Sequence, residues 1–93
     1  MEKFDNVWDA LADTPQEVAS LTARSDIMIA LQEHIRASGR TQRQIAKELG
    51  VSQPRISDLM RGRIDLFSLD ALFDLAFAAK LRIEIQIHLA EVA

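Results

Sequence analysis

The sequence predicts a mainly α chain of about five helices that ends in one β-strand, and three observations predict it. Apolar residues recur at helical spacing from Phe4 to Ala79. Capping residues and glycines punctuate that pattern at Thr14, Gly39, Thr41, Gly50, Ser52, Gly62 and Ser68. The period then changes, and residues 82–89 alternate polar and apolar strictly.

The first element is a short helix over residues 4–12. Phe4, Val7, Trp8 and Leu11 fall at i, i+3, i+4 and i+7. A helix this short needs a surface to dock on. That surface is either its own domain or a partner protein, where aromatic anchors are common.

Thr14-Pro15-Gln16-Glu17 starts the second helix. Thr14 caps it, Pro15 takes the first helical position, and Glu17 completes a capping box. The helix is expected to reach Ala37 or Ser38, with Gly39 as its end. Val18, Leu21, Met28, Leu31 and Ile35 form the expected buried stripe, with Ile27 and Ala30 beside it. Arg24-Ser25-Asp26 is a candidate interruption, because Ser and Asp favour caps over helix interiors. His34 reads as a structural residue rather than a ligand.

The stretch TQRQIAKELGVSQPRISDLMRG, residues 41–62, holds the next two helices. Thr41 and Gln44 suit a capping box, and Ile45, Ala46 and Leu49 share one face. Gly50 follows at once, where a helix ends in the left-handed conformation. Ser52 can cap the second helix, and Pro54 sits in its first turn. Ile56, Leu59 and Met60 make its buried face. A small residue at Ala46 lets the helices cross closely, Gly50 makes the turn, and Ile56 locks the crossing. This is the spacing of a helix-turn-helix, the unit that lays a recognition helix in the DNA major groove.

Residues 63–67 read as a connecting loop. Ser68 caps a last helix, about Leu69 to Lys80. Leu69, Leu72, Phe73, Ala76 and Phe77 should line its buried face, with Leu75 and Ala79 at the edge. The alternating tail, with Ile83, Ile85 and Ile87 on one face, reads as a half-buried strand. One strand leaves backbone groups unpaired, and the chain offers no second. Antiparallel pairing in a two-fold homodimer answers that need, and addition to another protein's sheet is the alternative. The chain therefore divides into an N-terminal extension (1–24), a helix-turn-helix domain (25–80) and a dimerisation strand (81–93).

Charge narrows the function. The net charge is −3, yet residues 40–63 carry +4, against −4 before them and −3 after. A local basic patch is the footprint a phosphate backbone needs. The acidic flanks suit a basic protein partner. Catalysis is disfavoured: there is no phosphate-binding glycine loop, no cysteine and no paired histidines, so neither metal nor cofactor is expected. No apolar run approaches the roughly 18 residues of a membrane span. The acidic, mixed start MEKFDNVWDA is unlike a signal peptide, so a cytoplasmic protein is expected. A module that binds protein without binding DNA is the rival reading.

Residues from about Ser25 to Ala79, through the run TQRQIAKELGVSQPRISDLMRG, resemble the lambda-repressor-like domains of XRE-type regulators. With NVWDALADTPQEVASL ahead and DLFSLDALFDLAFAAKLRIEIQI behind, most of the chain resembles HigA-type antitoxins. The resemblance implies an antitoxin that neutralises a RelE-like, mRNA-cleaving toxin and represses its own operon. It is also compatible with a stand-alone repressor. It implies base-facing roles for Gln53, Pro54, Ser57 and Asp58, and a base or phosphate contact for Arg55. Thr41, Gln42, Arg43, Arg61 and Arg63 fall where such domains meet phosphates. Chemically, Gln53 can pair with adenine through both amide groups, and Pro54 can touch a thymine methyl. Asp58 needs a cytosine amino group opposite it, or neutralisation by Arg55 or Arg61.

Overall fold

Four capped helices and one short turn carry the fold in the computed structural model, which describes residues 14–90. Helix α1 runs over Pro15–Ser38, and Thr14 Oγ1 accepts from the Glu17 N–H at 3.1 Å. It is continuous through Arg24-Ser25-Asp26, so the expected interruption does not occur. Helix α2 spans Gln42–Leu49 and begins with the expected capping box. The Gln44 N–H donates to Thr41 Oγ1 at 3.1 Å, and the Thr41 N–H donates to Gln44 Oε1 at 2.9 Å. Helix α3 spans Gln53–Met60, with Ser52 accepting from the Arg55 N–H. A single 3-10 turn, Ile64–Leu66, leads to α4 at Leu69–Ala78, capped by Ser68.

The helices pack as two pairs, α1 on α4 and α2 on α3, with α4 also touching α2 and α1 touching α3 and the 3-10 turn. One core results. Met28, Leu31 and Ile35 enter from α1, Ile45 and Ala46 from α2, and Ile56 and Leu59 from α3. Phe67, Leu72, Leu75, Ala76 and Ala79 close it. Leu31, Ile56, Leu59 and Leu72 are wholly inaccessible. No polar or charged residue is buried among the described residues.

The expected face of α4 is rotated. Leu75 and Ala79 are core residues, whereas Phe77 is 84% exposed. The helix is apolar nearly all round, so periodicity alone could not orient it. On α1, Val18 and Leu21 are only partly buried, because the core begins at Met28, and Ala30 is exposed between the core residues Met28 and Leu31. The expected loop at 63–67 contains a core anchor, Phe67, which is 1% exposed. The expected helix over residues 4–12 lies outside the described residues.

The tail also differs from expectation. Among the described residues there is no strand, and 82–89 form no ladder. A strand exists only through pairing, and the described residues supply no second edge. Leu81 and Ile83 pack against the core, while Ile85 and Ile87 are 67% and 89% exposed. The path of this tail is set at Lys80, whose φ is +62°. The Leu81 N–H donates to the Ala76 carbonyl at 2.9 Å, and the Lys80 N–H to the Phe77 carbonyl at 3.0 Å. That pair of bonds is a Schellman closure, with lysine where glycine is favoured.

A lysine in the left-handed region carries backbone strain that glycine lacks. Lys80→Gly should therefore raise unfolding free energy by about 0.5–1 kcal/mol in urea titration, after the entropy glycine adds to the unfolded chain.

Candidate nucleic-acid interface

The two short helices are held at their crossing by apolar packing and at their ends by backbone bonds. Ala46 is 5% exposed and Ile56 wholly buried, so α3 lies close on α2 as the small residue permits. The turn between them is closed by the Val51 N–H donating to the Ala46 carbonyl at 3.0 Å. Gly50 makes that turn at φ +72°. A Cβ there would meet no atom within 4 Å, so the need for glycine is backbone conformation, not space. Val51 is partly buried against the core beneath the turn, as expected. The far end of α3 closes through the Arg63 N–H donating to the Asp58 carbonyl at 3.1 Å.

These closures leave one polar face outward. Thr41, Gln42 and Arg43 are exposed at the start of α2. Gln53 and Pro54 are exposed at the start of α3, and Ser57 and Asp58 are partly exposed one turn further on. Arg61 and Arg63 are exposed beyond its end. The expected base-facing residues other than Arg55 are thus at least partly exposed along α3, and the expected phosphate residues are exposed at the start of α2 and beyond the end of α3. Asp58 has neither of the neutralising partners expected for it: its carboxylate forms no ion pair among the described residues. Arg40 does pair, with Glu48, which reduces the free positive charge of the patch.

Arg55 is engaged within the fold. Its guanidinium carbon stands 3.8 Å from the centroid of the Phe67 ring, a cation–π geometry. Its Nη1 donates to the Leu66 carbonyl at 2.8 Å. Two further residues support the same region. Arg24 Nη1 donates to the Phe67 carbonyl at 3.3 Å and to the Ile64 carbonyl at 3.5 Å. Gln32 Nε2 donates to the Leu59 carbonyl at 2.8 Å, tying α1 to the end of α3. Sequence reasoning finds none of these four bonds, because the partners lie 11 to 43 positions apart. Phe67 did carry a local signal. It precedes the Ser68 cap, and Leu72 follows at the fourth helical position, which is the pattern of a hydrophobic staple.

Among the described residues no cluster of His, Cys, Asp or Glu is arranged to hold a metal ion. No described helix is long and apolar enough to cross a membrane.

Comparison with known proteins agrees with this geometry. None of the curated proteins matches the chain. A solved structure assigned to the XRE family of transcriptional regulators is similar, with a TM-score of 0.70 and 27% identity. The match covers 76% of this chain and 80% of that one. A family model described as a helix-turn-helix domain matches residues 10–88. That family is non-enzymatic, in line with the absence of catalytic motifs from the sequence. The chain belongs to the helix-turn-helix domain family, in its XRE-type form.

Proposed function

We propose that the chain is a sequence-specific, DNA-binding transcriptional repressor. The observation that carries this reading is the division of labour along α3. Ile56 and Leu59 are wholly buried, while Gln53 and Pro54 at its start and Arg61 and Arg63 beyond its end are exposed. In this reading α3 enters the major groove. Gln53, Pro54, Ser57 and Asp58 face base edges, and Thr41, Gln42, Arg43, Arg61 and Arg63 hold the backbone. Phosphate contacts supply much of the affinity and make it salt-dependent, and base contacts supply discrimination. The local +4 charge of residues 40–63 favours duplex DNA despite the acidic total.

A single copy offers few base contacts, each worth roughly 1–3 kcal/mol of discrimination when bidentate. Two copies on a two-fold axis, with recognition helices about 34 Å apart, would bind an inverted repeat. The tail supports such a homodimer. Ile85 and Ile87 are exposed, and the tail's backbone has no ladder partner among the described residues. Ile83, Ile85 and Ile87 form the proposed dimer contact. In this reading the protein works in the cytoplasm, beside its DNA.

The resemblance to HigA-type antitoxins carries the reading one step further, to a repressor that also neutralises a basic, RelE-like toxin and controls its own operon. The acidic balance, 14 Asp and Glu against 11 Lys and Arg, suits such a partner.

Fluorescence anisotropy with the DNA upstream of the chain's own gene tests the repressor. Wild type should prefer that duplex to random DNA, with affinity falling steeply as salt rises. Gln53→Ala should cost about 1–3 kcal/mol on the specific duplex and almost nothing on random DNA. Equal affinity of wild type for both duplexes would favour a protein-binding module instead. Ile85→Asp should convert dimers to monomers by light scattering and weaken operator binding; unchanged mass and affinity would remove the tail from the dimer. Co-expression with a neighbouring basic ribonuclease should restore growth that the ribonuclease alone arrests. Continued arrest would leave a stand-alone repressor.

A further inference from the structure

We propose that Arg55 is a positioning residue of the DNA-binding face, which acts by clamping α3 to the Ile64–Leu66 turn and so placing Arg63. This rests on the DNA-binding reading above and replaces, for this one side chain, a direct base contact. The side chain starts on the third residue of α3, which would suit a groove contact. Its head does not stay there. Its guanidinium carbon lies over the Phe67 ring, 3.8 Å from the centroid, and its Nη1 donates to the Leu66 carbonyl at 2.8 Å. Phe67 is itself locked in the core.

The bonds that follow lead to Arg63. The Leu66 peptide accepts from Arg55 at its carbonyl, and the Leu66 N–H donates to the Arg63 carbonyl at 3.1 Å. The Arg63 N–H donates to the Asp58 carbonyl, also at 3.1 Å. Arg63 is thus fixed on one side by α3 and on the other by the turn that Arg55 holds. Arg24 grips the same turn from α1 through the Ile64 and Phe67 carbonyls. Two arginines from different helices therefore hold one three-residue turn by its carbonyls. The guanidinium suits this task because it is planar, stacks on an aromatic face and donates in a fixed direction at the same time. Lysine can supply the charge but not that combination.

The distinction has consequences for DNA. A base reader would be lost at one base pair, with the salt dependence unchanged. A lone phosphate contact would be replaced by lysine at little cost. A clamp predicts neither. Removing it should weaken all duplexes alike, and it should be coupled to Arg63.

The test is a mutant cycle by anisotropy on the upstream duplex and on random DNA, with wild type, Arg55→Lys, Arg63→Ala and the double variant. Gln53→Ala combined with Arg55→Lys is the control. Arg55→Lys should weaken both duplexes by a similar factor, about tenfold or less, and Arg63→Ala should cost much less in its presence than alone. The Gln53→Ala pair should be additive. In the free protein, amide exchange at Leu66 and Phe67 should quicken by about tenfold in Arg55→Lys, with the core amides of α1 unchanged. Additive Arg55/Arg63 effects, or a loss confined to one base pair of the specific duplex, would overturn the clamp and leave the repressor reading intact. Failure of wild type to bind any duplex would overturn that reading and the DNA role of Arg55 with it. Unchanged exchange at Leu66 and Phe67 would overturn the clamp whatever the DNA result.

Discussion

Close contact between α2 and α3 governs the rest of the molecule. Ala46 of α2 and Ile56 of α3 are both buried in the one core, and the methyl side chain of Ala46 lets the helices approach closely. Each helix has eight residues, too few to persist alone. Their existence depends on mutual burial and on the support of α1 and α4 behind them. The outward face inherits its geometry from that burial. Once Ile56 and Leu59 point inward, Gln53, Pro54 and Ser57 have only one direction left. Packing thus precedes recognition in the physical sense: the polar face is rigid because the apolar face is full.

Boundaries and caps were the most legible features of the sequence. Thr14, Thr41, Ser52 and Ser68 each cap a helix, as their chemistry requires, and α1 and α2 end at Gly39 and Gly50. These are local signals, written within four residues of the event they describe. The core of α2 and α3 was equally readable, because Ile45, Ala46, Ile56 and Leu59 alternate with polar residues. Helix α4 was not. With Leu72, Phe73, Leu75, Ala76, Phe77 and Ala79 in succession, its sequence fits several rotations, and tertiary packing chose the one that exposes Phe77.

Long-range polar bonds were invisible for a different reason. Gln32 to Leu59, Arg24 to Phe67 and Arg55 to Leu66 depend on the distance between segments, which no local pattern encodes. Each ends on a backbone carbonyl, so the partner's identity leaves no trace in composition. The site residues were legible as positions on a motif. Which of them stand free and which are engaged was not, and Arg55 shows the difference: its place on α3 suggests a contact outward, and its head is held by Phe67 and the Leu66 carbonyl.

The separation of inward and outward positions on α3 bears on how such a chain can change over evolutionary time. Gln53 and Pro54 contribute no buried side chain, and Ser57 lies next to the core without belonging to it. Substitutions at these positions alter what the surface reads while leaving Ile56 and Leu59 to hold the scaffold. Duplicated copies could therefore diverge in target sequence by drifting at two or three codons, with little thermodynamic penalty to slow them. Arg55, engaged with Phe67 and Leu66, stands outside that freedom. A lineage that changes its target can rewrite the outward residues one at a time, but it must keep the turn they depend on.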